Sequence, residues 1–291
     1  MTLDHFVFII NNRSGTRRNE KLQMVLQEEL KAYGIRYDIH ITESADETNA
    51  LVKKHLQLGH SYFIAVGGDG TVNTLAKNLV HTHGVMGIIP RGSGNGLARH
   101  LHLPKGIRTS LNRLVKKRIH IIDAITINRE WAFNVAGLGF DGLISTLFGQ
   151  NGKRGLSNYM KLIQSEYKNY QPIEIVYHYN NESVSKNIFQ VAFANASQYG
   201  NNAIIAPNAS LNDQLIDICL IDKVPMALLP AFFLKVFSGN IGQSNYAQSF
   251  TSDHLEVETS RPVHFHTDGD GRGIAQKFEI KLIPSCLKLM Y

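Results

Sequence analysis

Residues 64–80 read IAVGGDGTVNTLAKNLV, a strand that enters a glycine turn at Gly67-Gly68-Asp69-Gly70 and leaves it as a helix from Thr71. Glycines let a backbone reach positive φ and come close to phosphate oxygens, and the free N–H groups at the helix start complement negative charge. An aspartate in such a turn is out of place unless a cation accompanies the phosphates. Mg²⁺ resolves this, because it takes one or two carboxylates together with phosphate oxygens. The plainer reading is an Asp-Gly turn at a strand-helix corner. A second corner, PRGSGNGLARHL at residues 90–101, brings Gly92, Ser93, Gly94 and Asn95 after another apolar strand. Two such corners side by side favour a polyphosphate cradle. The G-x-x-x-x-G-K-[ST] pattern is absent, which excludes a P-loop enzyme.

Working outward, the chain alternates strand and helix up to residue 123. Strands are expected at 5–11, 36–41, 62–66 and 85–89, and helices at 19–33, 46–59, 71–80 and 96–101. Leu22, Val25, Leu26, Leu30 and Tyr33 supply the helical spacing of the first, and Gly34 stops it. This alternation implies βαβ units and a largely parallel, Rossmann-like sheet. Ligands of such sheets bind beyond the carboxyl ends of the strands, where the sequence places Asn11 to Gly15, Thr42, the 67–71 turn and the 90–96 loop. From residue 119 the texture changes to short β-branched and aromatic runs, among them IEIVYHY, IFQVAFANA and LIDICLI, which read as antiparallel β. The expected domains are therefore an α/β domain over 1–123 and a β-rich domain over 124–282. GLGFDG at 137–142 matches G-x-G-x-x-G but lies in the β-rich half, so it reads as a strand end with Asp141 turned toward a ligand, not as a dinucleotide site.

The chain has 291 residues, 43% hydrophobic and 19% charged, with Gly 24 and Pro 8, which excludes collagenous and disordered classes. The longest apolar stretch, 224–234, is too short to span a bilayer. The amino terminus lacks the basic start of a secretory signal, and Cys219 and Cys286 stand far apart, so a cytoplasmic location is expected. The net charge of +6 is clustered: Lys105, Arg108, Arg113, Lys116, Lys117 and Arg118 fall in fourteen residues without an acid. That cluster is a solvated face, an anionic membrane surface or a polyphosphate contact. No nucleic-acid-binding signature accompanies it. Near the carboxyl end, HFHTDGD at 264–270 is a strand entering a turn; alternation would set His264, His266 and Asp268 on one face if the strand persists. A stripe of Leu156, Tyr159, Met160, Ile163 and Tyr167 beside Lys153 and Arg154, and the run MALLPAFFL at 226–234, suit either core or membrane.

GGDGT at 67–71 followed by GIIPRGSGNGLAR at 87–99 resembles the catalytic domain of the diacylglycerol, sphingosine and ceramide kinase superfamily, whose soluble bacterial members are lipid kinases. FNVAGLGFDG, the block FANASQYGNNAIIAPNASLNDQLIDICLI and HTDGDG are similar to further blocks of that family, so the resemblance covers nearly the whole chain in order. It implies a nucleotide-binding α/β domain and a β-sandwich, with residues 283–291 returning to the first domain. It also implies an ATP- and Mg²⁺-dependent transfer of the γ-phosphate to a lipid hydroxyl at an anionic membrane, by a cytoplasmic protein that associates transiently with the surface. A homo-oligomer is compatible with it.

The implied roles are these. Asp69, with Gly67, Gly68, Gly70 and Thr71, handles phosphates and Mg²⁺; Gly92, Ser93, Gly94 and Asn95 form the second loop; Asn11 and Thr42 line the nucleotide site; Asp268 and Asp270 are catalytic carboxylates, and Asp213 and Asp217 hold a structural Mg²⁺. Three positions depart from the family: Asn12 for its Pro, Gln214 for a Gly, and Asp270 for a Glu. The GSGN loop resembles the sphingoid and ceramide kinases more than many bacterial diacylglycerol kinases. Two alternatives remain: a kinase of a soluble metabolite such as NAD, which shares GGDG, and a catalytically silent lipid-binding regulator, prompted by Asp270.

Overall fold

A strand covered on both faces needs an unbroken apolar run, and HFVFIIN, YFIAVG and VMGIIP are buried almost end to end. A computed structural model describes residues 5–12, 16–150, 155–180 and 182–291, so Arg13 to Gly15, Lys153 and Arg154 lie outside the described residues. The chain divides into two compact units, Met1–Ile122 with Ser285–Tyr291, and Asp123–Pro284.

The first unit runs β1 (His5–Asn11), α1 (Thr16–Lys31), β2 (Arg36–Thr42), α2 (Ala45–Gln57), β3 (Tyr62–Gly67), α3 (Asp69–Leu79), β4 (Val85–Pro90), α4 (Gly96–His100) and α5 (Ile107–Leu114). Its sheet is parallel in the order β4-β3-β1-β2, and residues 288–290 of the last strand add to β4, also parallel. The chain passes from β1 outward to β2 and returns to the other side of β1 as β3, which makes the ends of β1 and β3 the topological switch point. Leu22, Leu26 and Leu30, four apart on α1, close one face over Phe6, Phe8, Ile10 and Ile64. Ser44 caps α2 by accepting the Glu47 N–H at 3.1 Å.

Strand β5 (Ile119–Ile127) leads into the second unit: β6 (Glu130–Ala132), β7 (Val135–Gly139), α6 (Phe140–Gln150), α7 (Leu156–Glu166), β8 (Ile173–Tyr179), β9 (Glu182–Ile188), β10 (Gln190–Ala194), β11 (Ile216–Ile221), α8 (Leu229–Phe237), β12 (Ala247–Ser252), β13 (His254–Thr267) and β14 (Asp270–Met290). Long β13 is irregular between Glu258 and Val263. Before that point it pairs with β8, and beyond it with β7, so one strand serves two layers. Ile173, Ile175, Tyr177, Val191, Phe193, Ile218, Val257 and Phe278 fill the core between them. The α/β and β-sandwich expectations both hold.

GLGFDG does open a helix, since β7 runs directly into α6, but the neighbours of β7 are antiparallel, so no βαβ unit forms there. The stripe on α7 is core on its described aromatic side: Tyr159, Ile163 and Tyr167 pack with Phe140, Ile144 and Phe189. The run at 226–234 is different. Met226, Leu228, Leu234 and Phe237 are exposed, Leu234 by 70%.

Candidate functional site

In the first unit, register sets Asn11 beside Thr42 and Gly67 beside Pro90, so the four strand ends form one edge. Thr42 is buried and its hydroxyl accepts the Thr48 hydroxyl at 2.9 Å. Helix α3 begins at Asp69 and not at Thr71, which places the carboxylate in the first turn of the helix, where the dipole favours it. The glycines answer first to each other. A Cβ on Gly92 would stand 2.5 Å from the Gly68 Cα, and one on Gly68 would meet the Gly92 Cα at 3.1 Å, so the two loops touch backbone to backbone. A Cβ on Gly67 would collide with the Thr71 side chain, and one on Gly94 would reach Asp69 Oδ2 at 2.8 Å.

Asp69 locks this contact. Its Oδ2 accepts the Asn95 N–H at 2.8 Å and its Oδ1 the Gly96 N–H at 2.7 Å. Asn95, held at φ 54°, closes the second loop on itself: its Oδ1 accepts the Gly92 N–H and its Nδ2 donates to the Gly92 carbonyl. Gly70, Arg91, Gly92 and Ser93 stay exposed at the rim. Asp69 supplies the one carboxylate of the two loops. That donor set fits Mg²⁺ held by one carboxylate, waters and substrate phosphates.

In the second unit, Asp268 and Gly269 form a two-residue hairpin between Thr267 and Asp270, with φ of 51° and 83°. This is the Asp-Gly signature of a primed turn. The strand therefore ends at Thr267, and Asp268 does not share a face with His264 and His266. Instead its carboxylate accepts three backbone N–H groups, from Phe133 at 3.1 Å, Asn134 at 2.9 Å and Val135 at 3.2 Å. Asp268 is an anchor for the turn. Asp270 is exposed, 3.8 Å from Arg272 Nη2, and Arg272 Nε donates to Thr267 Oγ1 at 2.7 Å.

Beneath the turn lies a chain the sequence did not announce. The Gly269 N–H donates to His266 Nδ1 at 3.3 Å, which assigns the proton to Nε2, and Nε2 faces Asp141 Oδ2 at 3.2 Å. Tyr199 donates its hydroxyl to the same oxygen at 2.9 Å. Asp141 is thus buried and bonded internally, not turned to a ligand. Gly137 is the residue that makes room: a Cβ there would strike Asp141 Oδ2 and stand 2.8 Å from His266 Nε2. Arg272 had a legible signal, because strand residues two apart share a face.

Gln214 adopts φ 62° and donates its N–H to the buried Asp123 Oδ2 at 2.9 Å. The turn keeps a glycine-like backbone at a cost of about 1–2 kcal/mol. Burial, with the charge of Asp213 second, pushes the Asp217 carboxyl up to about 6. Two carboxylates close enough to repel suit an oxygen-seeking cation such as Mg²⁺. The raised value has a stability consequence. The folded state binds this proton more tightly than the unfolded chain, whose value is about 3.9, so the contribution is full below pH 4 and disappears as pH rises through 6. In EDTA, Asp217→Asn is expected to lose less thermal midpoint than the parent between pH 4.5 and 7. Parallel curves in the two proteins would refute the assignment.

Comparison with known proteins agrees with the two-domain fold. The family described as the Diacylglycerol kinase catalytic domain matches residues 5–127, and the YegS C-terminal NAD kinase beta sandwich-like domain matches residues 135–291. The chain is 26% identical to the "Probable lipid kinase YegS" of Escherichia fergusonii over 97% of its own length and 94% of that protein. It is likewise 26% identical to the "Probable lipid kinase YegS-like" of Pectobacterium atrosepticum, with the same coverage. Its fold is similar to that of a diacylglycerol kinase from Bacillus anthracis (TM-score 0.74, 18% identity, 100% of this chain and 98% of that one). An NAD kinase from Archaeoglobus fulgidus in complex with ATP is a more distant likeness (TM-score 0.55, 13% identity, 98% and 93%).

Proposed function

Because the chain belongs to the family defined by the YegS C-terminal NAD kinase beta sandwich-like domain, here joined to a diacylglycerol kinase catalytic domain, we propose that it is a lipid kinase that moves the γ-phosphate of ATP to a lipid hydroxyl. The observation that carries this reading is the pair of glycine loops held together by Asp69 at the carboxyl edge of the parallel sheet. Their exposed backbone at Ser93 receives phosphate oxygens. Asp69 would be the protein carboxylate that holds Mg²⁺, which would supply charge neutralisation on the transferring phosphoryl group. The attacking hydroxyl gives its proton to Asp270. Asp268 fixes the turn that presents Asp270, and Arg272 orients it. Asp213 and Asp217 would hold a second, structural Mg²⁺.

The test is transfer of labelled phosphate from ATP to diacylglycerol, phosphatidylglycerol, a sphingoid base, ceramide and NAD, resolved by chromatography. Label in a lipid supports the reading. Label in NAD alone, or in none, replaces it with the soluble-metabolite kinase or the silent regulator.

A lipid acceptor requires contact with a membrane surface. No helix among the described residues is long and apolar enough to cross one. In the first unit, Ile119 and Ile121, two apart on β5, are exposed by 44% and 49% beside exposed Lys116 and Arg118. Apolar insertion flanked by cations fits an anionic leaflet, at about 1 kcal/mol per basic residue. The rest of the basic cluster is partly engaged: Arg108 pairs with Glu29 at 3.2 Å, and Lys117 lies over the Tyr62 ring at 5.1 Å. Lys116→Glu with Arg118→Glu should therefore weaken binding to phosphatidylglycerol vesicles at low salt without lowering the thermal midpoint. Unchanged sedimentation with vesicles would return the cluster to a solvated face.

A further inference from the structure

The first unit carries a group of imidazoles at the amino-terminal end of its sheet that phosphoryl transfer does not use. His5 opens β1, Asp38 and His40 alternate on β2, His55 lies in the last turn of α2, and His60 stands in the loop into β3. Register aligns Val7 with Asp38, so His5, Asp38 and His40 face the side of the sheet on which α2 packs. Six residue steps along β1 lead from His5 to Asn11, about 20 Å along the strand, which makes this a site distinct from the glycine loops.

The donor atoms are already gathered. His5 Nε2 lies 2.7 Å from Asp38 Oδ2, and His55 Nδ1 lies 3.8 Å from the same oxygen. His55 Nδ1 and His60 Nδ1 face each other at 2.8 Å. The rings of His5 and His60 stack with centroids 3.9 Å apart, and His40 meets His55 edge-on at 5.0 Å. Two triads share Asp38: in His5–Asp38–His60 and in Asp38–His40–His55, one ligand atom per residue falls within 4.8 Å of the others. Around a tetrahedral ion with bonds of about 2.0–2.2 Å, ligand atoms sit about 3.4 Å apart, and the observed spacings bracket that value.

We propose that Asp38 and the imidazoles of His5 and His60 bind one divalent transition-metal ion of the zinc class, with water completing its shell. Two nitrogen donors and one carboxylate suit zinc, cobalt or nickel and not Mg²⁺ or Ca²⁺, which prefer all-oxygen shells. Asp38 is 41% exposed and His5 23%, which leaves the ion a path in. The ion ties β1, β2 and the loop before β3, three segments spread over 56 residues, so its effect is on the stability of the first unit. Nothing in the proposal depends on the lipid kinase reading.

The experiment uses the full chain stripped of metal. Co²⁺ is titrated while visible absorption is followed, Zn²⁺ is measured by equilibrium dialysis, and the thermal midpoint is recorded with Zn²⁺ and with Mg²⁺. The expected result is one Co²⁺ or Zn²⁺ per chain with the intense visible bands of a four-coordinate site, and a midpoint raised by Zn²⁺ but not by Mg²⁺. His5→Gln and His60→Gln, both at partly exposed positions, should each weaken binding at least about tenfold. His254→Gln should not; it removes a ligand from the exposed His254–Glu256–Glu279 group. Absence of stoichiometric binding in the unmutated protein overturns the proposal without reference to any variant, as does binding that survives His5→Gln and His60→Gln or is lost in His254→Gln.

Discussion

Asp270→Asn is expected to lower lipid phosphorylation by about 10²–10⁴ in kcat, the usual worth of a general base, with the KM for ATP unchanged. The two carboxylates of the DGD turn are chemically unequal. Asp268 accepts three backbone N–H groups of residues 133–135 and so has little left for a substrate proton. Asp270 is exposed, and the Arg272 guanidinium stands 3.8 Å from it. The same contrast separates the variants by a second readout. Asp270→Asn removes no buried contact and should leave the thermal midpoint in place. Asp268→Asn turns an amide NH₂ or a weaker acceptor toward three donors, and each charge-assisted bond is worth about 1.5–3 kcal/mol, so stability and activity should fall together. Asp270→Glu meets no packing constraint and is expected to keep turnover within about tenfold of the parent. Full turnover in Asp270→Asn would end its assignment as the base.

Most strands and helices of the first unit were legible because unbroken apolar runs and helical spacing are local properties: each expected element appears within a few residues of its bounds, while α5 was not expected. The hairpin at Asp268-Gly269 was legible for the same reason, since Asp-Gly is the local signal of a primed turn. What could not be read locally is what the side chains of such turns touch. Glycines at 68 and 92 suggested phosphate, yet their first constraint is each other, 24 residues apart. Gly137 serves a contact between Asp141 and His266, which are 125 residues apart. His5, Asp38 and His60 follow no ligand spacing, because two different strands and a loop bring them together. A motif shows that a backbone must bend; the tertiary fold decides which partner the bend admits.

Asp69→Ala is expected to lower kcat/KM for ATP by about 10²–10⁴, because two charge-assisted hydrogen bonds of about 1.5–3 kcal/mol each are lost at once. A carboxylate that only met Mg²⁺ and phosphate would stand in the turn without a structural partner, and its removal would leave the fold untouched. The geometry says otherwise. Both oxygens are bonded to the amides that open α4, and the Gly68 and Gly92 backbones are in contact directly beside them. Truncation leaves the Asn95 and Gly96 N–H groups without their acceptor and frees the second loop to move away from the first. The thermal midpoint should therefore fall in Asp69→Ala even without nucleotide, and Asp69→Asn, which keeps one acceptor oxygen, should fall less in both measures. An unchanged midpoint with lost activity would reduce Asp69 to a ligand for the phosphates and their cation. Unchanged activity would remove both roles, and with them the claim that these two loops form the nucleotide site.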